Sequence, residues 1–112
     1  NGQKWILSSP QAANRRWLDW AFSSGGQPPP YAQLECNSMH MLAPLIAETG
    51  LLGFLPRRYL HSTHFLSALE EIVCPATTLK RSIGILRRKN GYLSPAGQKL
   101  VSIVSDVASK LP

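Results

Sequence analysis

The side chains of this sequence that could do bond-making or metal chemistry are few and badly placed for it. His61 and His64 stand three residues apart, a spacing that would put both imidazoles on one helix face, but no third ligand lies at a recognised spacing. His40 lies between Met39 and Met41, and helix surface and core account for that trio better than a copper site does. The carboxylates are Asp19, Glu35, Glu48, Glu70, Glu71 and Asp106, with one adjacent pair whose members would point apart on a helix, so no acid and base converge on a substrate. No phosphate-binding loop, dinucleotide-binding glycine pattern, serine elbow or HExxH motif occurs. The expectation is a chain that is not an enzyme and holds neither metal nor cofactor. Cys36 and Cys74 are too few for a disulfide framework and read as buried free thiols in a reducing cytoplasm.

A different chemistry, the capture of a small anion, is within reach of three short segments: Ser8-Ser9, Asn37-Ser38 and Phe54-Leu55 before Pro56. Each stands where an extended run hands over to the next element. Free N–H groups at helix starts favour anions, hydroxyl and amide side chains add polar partners, and Phe54 would supply an apolar wall. The same Ser and Asn residues would also serve as plain helix caps, and the residues alone leave both readings open.

For the three segments to meet, strands must alternate with helices. Trp5-Ile6-Leu7 reads as a strand, and Ser9 with Pro10 reads as N-cap and first residue of a helix over 11–22. In that helix Ala13, Trp17, Trp20 and Ala21 form an apolar stripe, while Arg15 and Asp19 pair one turn apart. After a Gly- and Pro-rich break, Tyr31 to Cys36 alternates as a strand with Ala32, Leu34 and Cys36 on one face. Asn37 or Ser38 caps a helix reaching Thr49, closed by Gly50 and kinked by Pro44. Leu51 to Leu55 is a continuous apolar run, expected as a strand buried on both faces. The order β-α-β-α-β argues for a parallel sheet covered by helices. Beyond Tyr59, a helix from about His61 to Ile72 and a strand over Leu69 to Val73 are equally compatible with the residues. Thr77 to Arg88 reads as extended, with Leu79, Ile83 and Ile85 on one face and a turn at Asn90-Gly91. Ser94-Pro95 opens a last helix to Lys110, whose stripe of Leu100, Val101, Val104, Val107, Ala108 and Leu111 must dock on something.

With 112 residues and 44% apolar content the chain can bury a core, which excludes disorder as the main reading. No apolar run is long enough to span a bilayer, so a soluble chain without a membrane partner is expected. The start, Asn1-Gly2-Gln3-Lys4, lacks an initiator Met and a signal-like stretch and reads as an excised piece. Twelve Lys and Arg against six Asp and Glu give a net charge of +6. The cations fall in short clusters without interleaved stacking aromatics, and solvated surface is their default account.

The run Leu45-Ile46-Ala47-Glu48-Thr49-Gly50-Leu51-Leu52-Gly53-Phe54-Leu55-Pro56, preceded by Trp5-Ile6-Leu7 and followed by Arg81 to Arg88 and by Leu93-Ser94-Pro95-Ala96-Gly97, resembles the effector-binding domain of LysR-type transcriptional regulators. The resemblance covers nearly the whole chain through the order and spacing of these segments. It departs from the common form at Pro44, at Leu51 where a second glycine is usual, and over His61 to Ser67.

That resemblance implies an α/β, periplasmic-binding-protein-like fold, doubly wound with a mostly parallel sheet flanked by helices, here as an incomplete two-subdomain effector domain. Residues 4–82 would form the second subdomain, and 83–112 a crossing strand and C-terminal helix belonging to the first. Ser8, Ser9, Asn37, Ser38, Phe54 and Leu55 would line one side of a cleft that takes a small effector, often a carboxylated metabolite. The implied protein is cytoplasmic and homo-oligomeric, and it reaches DNA only through a helix-turn-helix domain absent from this chain. The rival expectations are an extracytoplasmic solute-binding protein of the same fold class and a small basic nucleic-acid-binding module.

Overall fold

Three apolar residues near the start organise the first part of the chain. In the computed structural model, which describes residues 2–61 and 68–111, Trp5–Leu7 forms strand β1 with Ile6 and Leu7 buried. A parallel strand lies on each side of it, β2 (Ala32–Glu35) and β3 (Leu52–Gly53), in the order β2-β1-β3. Trp5 faces Ala32 and Leu52, and Ile6 faces Leu34 and Gly53. Parallel neighbours cannot be joined by a tight turn, so each crossover carries a helix: α1 (Ala13–Ser24) and α2 (Met39–Thr49). The expected β-α-β-α-β order and parallel pairing are both present.

Several local expectations need correction. The first helix starts later than read, because Ser9 and Pro10 open a turn in which the Ala12 N–H donates to the Ser9 carbonyl at 3.0 Å. The fixed φ of proline suits the second position of such a turn as well as the first turn of a helix, so the same dipeptide serves either. The inward face of α1 is also rotated: Leu18 is fully buried, Trp17 is half-buried, Ala13 is exposed and Trp20 is 63% exposed. Asn14 and Arg15 lie one turn before Leu18 and are themselves half-buried, and these polar residues on the inner face obscure its period.

Helix α2 runs through Pro44 to Thr49, with Leu42 and Ala43 fully buried beside the proline. Gly50 closes it at φ 66°, a left-handed conformation that favours glycine, and its N–H donates to the Ile46 carbonyl at 3.0 Å. Strand β3 is shorter and less covered than expected. Only Leu52 and Gly53 pair, and Leu51 to Pro56 are half-buried, since β3 is an edge of a three-stranded sheet.

A 3-10 turn, Arg57–His61, comes next, and Arg57 grips the Glu71 carboxylate with both Nε and Nη2. The expected helix from His61 to Ile72 falls partly on residues outside those described. The alternative strand over Leu69 to Val73 is absent, and Ile72 and Val73 are exposed. A second 3-10 turn, Pro75–Thr77, packs against α1.

The chain divides into two units, Asn1–Leu79 and Lys80–Pro112. In the second, the expected extended run forms no ladder: residues 78–88 pair with no strand among the described residues, and Ile83 and Leu86 are almost fully exposed. Residues of high strand propensity stay irregular when no neighbouring edge accepts their backbone groups. The turn is as read, with Asn90 at φ 58° beside Gly91. So is the cap of α3 (Pro95–Ser109), where Ser94 Oγ accepts from the Gly97 N–H at 3.1 Å. The stripe of α3 is exposed at Leu100, Val104, Val107 and Leu111.

Gly53 supplies a test of the packing of α2 on the sheet. A Cβ at this position would collide with the Ile46 side chain, so Gly53→Ala should destabilise by about 1–3 kcal/mol in urea unfolding. In an Ile46→Ala background the same change should cost far less, because the colliding atoms are gone.

Candidate functional site

Because the three strands are parallel, their ends gather on one edge of the sheet, and the candidate binding residues stand there. At the end of β1, Ser8 is 5% exposed, and its hydroxyl accepts from Asn14 Nδ2 at 3.2 Å. The Ser8 carbonyl accepts from Arg15 Nη1 at 3.3 Å. The other guanidinium nitrogens of Arg15 reach the Pro30 carbonyl at 3.4 Å and Asp19 Oδ1 at 2.9 Å. One side chain thus joins the end of β1, the approach to β2 and its own helix. The Arg15–Asp19 pair is the one expected from the four-residue spacing, but Arg15 is turned inward, its side chain only 10% exposed.

The Ser9 N–H donates to Asn37 Oδ1 at 2.9 Å, across 28 residues, so the ends of β1 and β2 are bonded directly. This bond decides what Asn37 does: its amide oxygen bridges two strand ends and does not cap α2. Ser38 occupies the N-cap position of α2 with an extended backbone, yet its side chain accepts no capping bond, and Ala12 at the start of α1 has none to give. Ser9, expected as a cap, lies three residues before the N-cap of α1. The N–H groups opening α1 at Ala13 and Asn14, and α2 at Met39 and His40, find no acceptor among the described residues. At the end of β3, Phe54 stacks on Trp17 of α1 with centroids 5.7 Å apart and planes 11° from parallel. Leu55 is half-buried beside it in sequence and makes no bond of its own.

The structure therefore links Ser9 with Asn37 directly, ties Ser8 to α1, and sets Phe54 against Trp17. Ser38 and Leu55 stand on the same edge without a side-chain hydrogen bond. Sequence reasoning missed Asn14, Arg15 and Trp17 as parts of this edge. The usable signal was the Arg15–Asp19 spacing a few residues beyond a strand end, where an inward-facing ion pair can hold backbone carbonyls.

Among the described residues no three His, Cys, Asp or Glu side chains come together. No helix among them is long and apolar enough to cross a membrane. Cys36 and Cys74 are free thiols, but both are half-buried and not the core residues expected. The Cys74 thiol is held below its ordinary value by the Thr77 hydroxyl, with help from the Thr77 and Ala76 N–H groups of the 3-10 turn it precedes.

Compared with known protein families, residues 1–109 match the LysR substrate binding domain. The chain belongs to this family. LysR substrate-binding domains are periplasmic-binding-protein-like parts of transcription regulators that sense ligands, and the small α/β unit with its three-stranded parallel sheet is consistent with part of that fold. They belong to regulators, not to enzymes. Neither the curated proteins nor the solved structures compared with the chain gave a match.

Two outcomes test the geometry of this LysR domain. Arg15→Met keeps the aliphatic stem but leaves Asp19 and two carbonyls without their donor, and should lower stability by about 2 kcal/mol in urea unfolding. In a Cys36→Ser background, iodoacetamide should alkylate Cys74 with a rate profile displaced below that of an ordinary thiol, because more thiolate is present at a given pH. Thr77→Val should move the profile back to higher pH.

Proposed function

We propose that the chain is the inducer-sensing part of a LysR-type regulator and takes a small, carboxylate-bearing metabolite at the strand-end edge. Ser8, Ser9, Asn37 and Ser38 offer polar partners, and Phe54 and Leu55 form the apolar side. The observation that carries this reading is the absence of side-chain caps on α1 and α2, whose opening N–H groups start from the same edge where Asn37 bridges to Ser9. Helix starts left without side-chain acceptors attract an anion. The strand order supports the same place, because the direction of chain progress reverses at β1, and open α/β sheets bind ligands outside the strand ends at such a reversal.

On this reading residues 4–82 are the second subdomain of a doubly wound effector domain, and 83–112 are the crossing segment and the tail of the first. The regulator is cytoplasmic and oligomeric. A separate helix-turn-helix domain binds its DNA, and effector binding shifts the geometry with which that domain meets its site. No catalytic step or cofactor enters.

A thermal-shift series on the regulator with its DNA-binding domain, against small aliphatic, aromatic and amino acids, tests the proposal. One of these acids should raise the melting temperature progressively with its concentration. Ser38→Ala should weaken that response about tenfold in concentration while leaving the melting temperature without ligand unchanged, since the hydroxyl caps nothing. An intact response in Ser38→Ala, or a folded protein that no acid stabilises, would remove the strand-end edge as the effector site.

A further inference from the structure

The net positive charge of the chain falls on one of its two units. Asn1–Leu79 carries five Lys and Arg against five Asp and Glu, and is neutral. Lys80–Pro112 carries seven against the single carboxylate Asp106, and so holds the whole net charge of +6. Five of those seven, Lys80, Arg81, Arg87, Arg88 and Lys89, lie within ten residues, all exposed. None of them pairs with a carboxylate among the described residues, where the ion pairs are Arg15–Asp19, Arg57–Glu71 and Lys110–Asp106.

Clustering of this kind matters because like charges repel. Five cations concentrated in ten residues cost free energy at low salt unless an anionic partner relieves them, and a neutral first unit supplies none in net terms. The partner chemistry is that of a polyanion. Two polyanions fit a basic segment, a nucleic-acid backbone and an anionic membrane, and the placement of the cations separates them. An interfacial membrane helix carries its Lys and Arg on the polar face of the helix that supplies the apolar one. Helix α3 has an exposed apolar stripe, but within it Lys99 is the sole cation, and Lys110 just beyond its end is held by Asp106 at 2.8 Å. The cations lie instead on the irregular segment before α3, where phosphates spaced along a duplex can be met one by one. A domain of a transcription regulator also works beside DNA.

We propose that Lys80 to Lys89 is an auxiliary, sequence-independent contact for the phosphate backbone of duplex DNA. It adds affinity without reading bases, and it is independent of the effector site at the strand ends.

The test uses the 112-residue chain and labelled duplexes of unrelated sequences, with binding followed by fluorescence anisotropy from low to moderate salt. The chain should bind all of them alike, with affinity falling steeply as salt rises. Arg87→Gln, Arg88→Gln and Lys89→Gln together should weaken binding about tenfold or more at low salt and make the slope of log K against log salt shallower by about 2 to 3. The charge-matched triple Lys4→Gln, Arg16→Gln and Arg58→Gln, all exposed in the first unit, should change binding less than about twofold. Equal weakening by the two triples would mean that net charge alone attracts DNA, and would overturn the proposal. Binding to vesicles containing phosphatidylglycerol but not to duplex would overturn it in favour of a membrane surface, and binding to neither would overturn it outright.

Discussion

Burial of β1 between two parallel neighbours is the constraint on which the rest of the first unit depends. The strand is three residues long, so its stability comes from having both backbone edges paired and Ile6 and Leu7 wholly removed from water. Parallel pairing on both sides obliges the chain to return twice to the same end of the sheet before each new strand. Those returns are α1 and α2, and they explain why Leu18, Leu42 and Ala43 join the two residues of β1 as the buried hydrophobic core among the described residues. They also collect three strand ends on one edge, which no local motif could do.

At that edge Arg15 and Asn37 answer to backbone groups of other segments, while the Ser8 hydroxyl is tied to Asn14 of α1. Arg15 is the clearest case. Its guanidinium is held by Asp19 within α1, and this leaves two nitrogens aimed at the carbonyls of Ser8 and Pro30. Carbonyls just beyond a strand, after β1 at Ser8 and before β2 at Pro30, have no ladder partner, and a charged donor fixed by its own helix satisfies both at once. Asn37 does the same for the Ser9 N–H. Neither α1, whose N-cap is Ala12, nor α2, whose N-cap is Ser38, receives a side-chain cap.

Where local chemistry had one solution, the residues were legible. Ser94-Pro95 caps a helix, Gly50 closes one and Asn90-Gly91 turns, each as its local chemistry favours. Ser9-Pro10 had two solutions with the same φ, and here the dipeptide opens a turn closed by the Ala12 N–H on the Ser9 carbonyl. The inward face of α1 was misread because polar residues stand on it, so hydrophobic periodicity could not report the orientation. Of the edge itself, Ser8, Ser9, Asn37 and Phe54 were visible as residues of the right type after strands. Of their partners Asn14, Arg15 and Trp17, only Arg15 left a trace, in its spacing from Asp19; the Asn14 bond to the Ser8 hydroxyl and the Trp17 stack on Phe54 join residues that no local pattern relates. Thr77 to Arg88 reads as extended from Leu79, Ile83 and Ile85 on one face, but a one-sided pattern cannot supply the neighbouring edge a strand needs.

The division of charge gives the two proposed anion contacts different physics. The strand-end edge belongs to a unit without net charge, and the carboxylate proposed for it would be drawn by N–H dipoles acting over a few ångströms. The Lys80 to Lys89 segment acts through five charges in water, and its attraction is governed by the ions it displaces from DNA. Raising the salt concentration should therefore remove the second contact long before it disturbs the first. On these two proposals DNA would be met by charge and the metabolite by shape and hydrogen bonding, so that salt would distinguish the two contacts.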